Sequence, residues 1–172
     1  MEQTGKSVVL DGSRRQGHDG GLHISSLSSH PEHLLLPCTV THSQKTISSQ
    51  TLAFIDCGAT AEFCDTTYAL SLQLPTYPVP PQQLTVADGQ PSSAGLVTHA
   101  TDLTIDLNGH KELQTFYLTD LGRYQIILGK PWLTKHNPSI DWVTDTLTFD
   151  KPLCLNYAPP SVTLVSVSQH KP

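Results

Sequence analysis

Leu52-Ala53-Phe54-Ile55-Asp56-Cys57-Gly58-Ala59-Thr60 is the stretch from which the rest of the chain can be read. Four apolar residues run straight into one carboxylate, followed by a small residue, a glycine and another small residue. Such a run predicts a strand buried on both faces. An aspartate at its end is held close to a core, where a carboxylate is costly unless it is hydrogen-bonded or paired. Gly58 permits a sharp turn and the close approach of another backbone. An ordinary strand ending in an Asx-type turn has the same local look. The remaining sequence has to decide between that and a carboxylate kept for chemistry.

Upstream, Leu34 to Thr41 predicts a strand with an early proline, Pro37, and therefore an edge at its start. Ser43 to Ser49 is a polar turn, so the two strands form a hairpin that feeds Asp56. Downstream, Phe63, Thr67 or Tyr68, and Leu70 or Leu72 lie at helical spacing, with Asp65 as a cap. Pro75, Pro78, Pro80 and Pro81 predict an extended linker. Leu84 to Ala87 and Ser92 to Thr98 flank the turn signal Asp88-Gly89. The small side chains of these arms suit a flap, with Ala87, Asp88, Gly89 and Gln90 at its tip. Thr101 to Leu107 alternates polar and apolar, Asn108-Gly109 signals a second hairpin, and Leu113 to Thr119 returns. Ile126-Ile127-Leu128-Gly129 is a second short buried run. Pro131 to His136 fits one or two helical turns begun by proline. Ile140 to Trp142 and Thr146 to Phe149 form a last strand pair.

Composition agrees with a mainly β domain. Only 15% of the 172 residues are charged, and thirteen prolines with eleven glycines favour short elements over long helices. The net charge is −5 with no basic cluster, which argues against a nucleic-acid surface. No apolar run is long enough to span a membrane, and Met1 to Arg15 carries no secretory signal. The expected location is intracellular and cytoplasmic. Cys38, Cys57, Cys64 and Cys154 are scattered and read as free thiols; Cys57-x6-Cys64 lacks zinc-site spacing. His18, His23, His30 and His33 have no cysteines beside them, so neither a metal nor any other cofactor is expected. The domain reading is a disordered leader over 1–32, a folded domain over 33–150 and a proline- and serine-rich tail over 151–172.

Two features combine into a signature: apolar-Asp-small-Gly-Ala-Thr, and some seventy residues later Ile126-Ile127-Leu128-Gly129 with Pro131-Trp132-Leu133 and His136-Asn137-Pro138. Together they resemble the retropepsin-type aspartic proteases of long-terminal-repeat retrotransposons, the Ty3/gypsy group in particular, over roughly Leu34 to Phe149. The resemblance implies a small β-barrel with one lobe per chain and one or two short helices. It implies Asp56 as the catalytic residue, Cys57, Gly58, Ala59 and Thr60 as its loop, and Ile127, Leu128 and Gly129 as structural support.

Peptide hydrolysis by two carboxylates needs them near enough to share a proton, one as base and one as acid. Asp120-Leu121-Gly122 lacks the small residues that follow Asp56 and reads as a turn. One loop per chain therefore predicts a homodimer with the site on its axis, acting on a polypeptide substrate, the retroelement polyprotein. Cys57 stands where the family has Ser or Thr, whose hydroxyl the resemblance implies braces the partner loop; a thiol is a weaker donor and acceptor. Glu62 is also atypical and places a further charge near the site. A catalytic role for the Cys57 thiol would need a histidine that the sequence does not place. Two functions follow: an aspartic endopeptidase, or a catalytically silent dimerisation and interaction module.

Overall fold

The computed structural model describes residues 22–25, 33–85 and 90–149. Its elements are β1 (Leu22–Ser25), β2 (Leu35–His42), β3 (Ile47–Ile55), β4 (Phe63–Asp65), α1 (Thr66–Ser71), β5 (Tyr77–Thr85), β6 (Pro91–Leu107), β7 (His110–Thr119), β8 (Ile126–Leu128), α2 (Lys130–His136), β9 (Ser139–Asp141) and β10 (Thr146–Phe149). Seven strands follow the order β2-β3-β8-β4-β7-β6-β5, and β2 also pairs with β6. That pairing closes six strands into a barrel and leaves β5 outside, on β6. The fold is mainly β with two short helices, as composition and signature predict.

Alternation fills the barrel. Leu36, Cys38 and Val40 of β2, Leu103, Ile105 and Leu107 of β6, and Ile126 and Leu128 of β8 are buried in one apolar cluster with Phe116 and Trp132. The β2–β3 hairpin forms as expected, and β6 reaches β2 only at Thr39–Thr41, so Pro37 has β3 alone as a neighbour. The β6–β7 hairpin turns at Asn108-Gly109, both with positive φ, and Asp106 Oδ1 accepts the Gly109 N–H at 2.7 Å.

Four readings change. Leu52 to Ile55 is not buried on both faces: Ala53 and Ile55 are buried, while Leu52 and Phe54 are half-buried. Phe54 stacks instead on Tyr124. Phe63, read at helical spacing, lies in strand, because Phe63–Asp65 slots between β8 and β7; the helix begins after it, and Asp65 caps it as expected, its Oδ1 accepting the Tyr68 N–H at 2.9 Å. The proline-rich linker is the strand β5. Prolines are tolerated there because β5 lies at the end of the sheet and shifts register between Pro78 and Gln82. Within the expected leader, Leu22–Ser25 pairs antiparallel with β10, so disorder does not extend through those four residues.

Candidate active site

The topology explains where Asp56 stands. β8 is inserted between β3 and β4, parallel to the first and antiparallel to the second. The chain leaves β3 at Ile55, crosses the end of β8, and re-enters the sheet at Phe63. Residues 56–62 are that crossing. The Asp56 N–H donates to Leu128 O at 3.0 Å, and the Lys130 N–H donates to Ala59 O at 2.8 Å. The crossing is so close that a Cβ on Gly129 would stand 2.3 Å from Ala61 O and 2.9 Å from Ala59 O. Only glycine leaves room for that backbone contact. The two sequence features therefore meet, one lying across the other.

Asp56 is half-buried and opens to solvent more than a carboxylate in a core would. Its Oδ1 accepts the Gly58 N–H at 2.9 Å, and the Ala59 N–H closes the turn on Asp56 O at 3.2 Å. These contacts fix the carboxylate's direction and leave Oδ2 for other partners. Cys57, Gly58 and Thr60 are exposed, and Ala59 is half-buried. Cys57 is a free thiol. Cys38 and Cys64 are buried, and burial pushes both thiols up to about 12, which leaves them inert. Asp120-Leu121-Gly122 is the turn expected of it, with the Gly122 N–H on Asp120 Oδ1 at 2.9 Å.

A second apolar cluster, which the sequence did not announce, lies beside the loop. It comprises Ala61, Phe63, Val97, Ala100, Tyr117 and Ile127, with half-buried Phe54, Ala59, Val79, Leu84, Leu121 and Tyr124 packed against it. Phe54 and Tyr124 stack at 4.6 Å, and His33 meets both edge-on. Of the residues expected at a flap tip, Ala87, Asp88 and Gly89 lie outside the described residues. Gln90 is exposed at the foot of β6, and β5 and β6 form the expected arms, with Thr85 opposite Pro91.

Behind the loop lies a buried polar network. Glu112 Oε1 accepts the Trp132 indole N–H at 2.6 Å and faces His136 Nε2 at 2.8 Å and His110 Nε2 at 3.5 Å. Lys135 pairs with the other oxygen. Burial alone would raise the Glu112 carboxyl; His110, His136 and Lys135 outweigh it and hold the group well below the usual carboxylate range. The donor atoms of His110, Glu112 and His136 lie within 4.8 Å of one another, a spacing that could serve a metal. The Lys135 ammonium and the indole N–H on the same carboxylate supply its positive partners from the chain itself. A signal for this network was available. His110, Glu112 and Gln114 alternate on one face of β7, and all three are buried.

Glu62 was expected to charge the site. It is instead buried at 3% exposure, and its carboxyl is tied to α2 and β7. Burial, reinforced by the charge of Glu112, raises its carboxyl above the ordinary value, against the Trp132 N–H and Lys135, which lower it.

The architecture can be matched to known folds. The chain is similar to a retropepsin-like aspartic protease from Rickettsia conorii, with TM-score 0.51 and 15% identity over 76% of this chain and 89% of that one. It is also similar to the EIAV protease complexed with the inhibitor HBY-793 (TM-score 0.44, 15% identity, 62% of this chain and 90% of that). A third likeness is to the retroviral protease-like domain of Ddi1 from Leishmania major (TM-score 0.42, 18% identity, 63% and 79%). The fold class is retropepsin-like aspartic protease. The model of the PEG10/RTL1 protease domain matches residues 52–158, more than half of the chain, and the chain belongs to that family. Its origin in a retroelement is that of the family. Among the described residues, no helix is long and apolar enough to cross a membrane.

Proposed function

We propose that the chain is an aspartic endopeptidase of Ty3/gypsy-type ancestry that works as a homodimer, with Asp56 of each copy forming the catalytic dyad. The observation that carries this reading is the half-buried Asp56, fixed by Gly58 and backed by the Leu128–Gly129 crossing. Two such loops meeting on a two-fold axis bring two carboxyls together. Like charges at that distance split their titration, so one ionised group takes a proton from water while the protonated one polarises the scissile carbonyl. The apolar cluster with Phe54, Ile127 and Tyr124 gives the side chains of an extended peptide a surface beside the dyad. The β5–β6 arm, with its tip at Ala87 to Gln90, closes over the peptide and excludes water. Residues 33–150 form the catalytic domain, and its substrate is a retroelement polyprotein.

The Cys57 thiol favours a second reading, a silent dimerisation module, because it makes a weaker brace than a hydroxyl. Purified protein incubated with a peptide library, with and without a pepsin-type transition-state inhibitor, separates the two. Inhibitor-sensitive cleavage is the result expected of the endopeptidase. A dimer that cleaves nothing supports the silent module.

A further inference from the structure

α2 begins at a glycine that has no room for a side chain. Gly129 is its N-cap residue, and the carbonyls of Ala59 and Ala61 exclude any side chain there. A glycine offers no side-chain oxygen to the first N–H groups of a helix, and Pro131 has no N–H to satisfy. Two donors of that first turn remain. Lys130 N–H goes to Ala59 O in the active-site loop. Trp132 N–H goes to Glu62 Oε1 at 2.8 Å. Glu62 Oε2 accepts from Gln114 Nε2 at 3.3 Å, and its own carbonyl accepts the Tyr117 N–H at 3.0 Å.

We propose that Glu62 is a positioning residue for Asp56: it caps α2 from outside the helix and pins the C-terminal end of the active-site loop. The loop is thus held at both ends, by Leu128 O at Asp56 and by the Glu62–Trp132 tie six residues later. Trp132 carries the tie further, since its indole N–H is fixed on Glu112. The charged and titratable groups that face Glu62 are Glu112 and Tyr117 on β7 and Lys135 on α2. The function of the tie rests on the reading of Asp56 as the catalytic group; its existence does not.

The test uses the full chain as wild type, Glu62→Asp and Glu62→Gln, with amide exchange followed residue by residue. Aspartate keeps the charge and loses the reach; glutamine keeps the reach and an acceptor oxygen. In Glu62→Asp the Trp132 and Lys130 amides exchange roughly tenfold faster or more, the size of a lost hydrogen bond to a charged group. The amides of Leu103 and Ile105 in the barrel keep their rates, and Glu62→Gln restores Trp132 and Lys130. In peptide cleavage Glu62→Asp lowers kcat with KM nearly unchanged, and Glu62→Gln recovers most of it. Unchanged Trp132 exchange in Glu62→Asp overturns the proposal. So does a loss shared equally by barrel amides, or a glutamine variant no better than aspartate. If wild type cleaves no peptide, the proteolytic reading fails and the exchange pattern alone decides the tie.

Discussion

Asp56 and Glu112 are carboxylates at the two ends of a path that runs along the loop to Glu62 and through its bond to Trp132, and their surroundings differ in kind. Glu112 is buried and accepts from or pairs with an indole, an ammonium and two imidazoles. Asp56 is half-buried, with one N–H on one oxygen. A buried carboxylate saturated by partners holds structure together and has no capacity left for a substrate. One held in direction but left open keeps its lone pairs for chemistry. Between them stand Trp132 and Glu62, which transmit the rigidity of the first to the position of the second.

Substitution at either end separates the two roles. Asp56→Asn should lower peptide cleavage at least ~100-fold, the range of a lost general acid or base, while leaving the urea midpoint nearly unchanged. Glu112→Ala should act first on stability and, because it frees the Trp132 indole, lower cleavage too, by less than Asp56→Asn does. Removing one partner of a buried ionic cluster costs about 3–5 kcal/mol, read by urea denaturation. Gly129→Ala touches both ends, because its Cβ would meet Ala61 O at 2.3 Å. The shift it forces should cost about 1–3 kcal/mol and reduce cleavage as well.

The two buried glutamates titrate in opposite senses. The depressed carboxyl of Glu112 contributes stability that is present above the unfolded value and lost as pH falls below ~4.3. The raised carboxyl of Glu62 binds its proton more tightly when folded, so its effect has the other sign. Stability falls as pH rises from ~4.3 through the folded value. Denaturation of Glu62→Gln across pH should therefore lack that upper decline and keep the acid limb. The remaining effect is at Cys57, and it falls on association rather than on the fold. A hydroxyl there should add about 0.5–1.5 kcal/mol per bond, made twice by symmetry, so Cys57→Ser should tighten association roughly ten- to a hundredfold by sedimentation.

Much of this was legible in the sequence, and physical reasons mark where it stopped. The Asp56 loop and the Ile126–His136 run are local patterns, and their meeting follows from a signature that fixes their order. Asn108-Gly109 names its own turn. The edge strand β5 was read only at its end, from Leu84, because four prolines around it read as linker, and only the position at the sheet end makes Pro78, Pro80 and Pro81 tolerable. β4 is three residues long, too short for a period to show. Glu62 looked like a free charge beside the site because its partners, Trp132 and Gln114, lie 70 and 52 residues away.

The central claim is that catalysis needs one Asp56 from each of two copies. Mixing wild type with increasing Asp56→Asn protein at fixed wild-type concentration, and following peptide cleavage, tests it directly. At concentrations where pairing is complete the variant should inhibit: it draws wild-type copies into pairs with a single Asp56, and the rate falls in proportion to the wild-type fraction. A cleavage rate that stays constant as the variant is added, and linear in wild-type concentration alone, would contradict it.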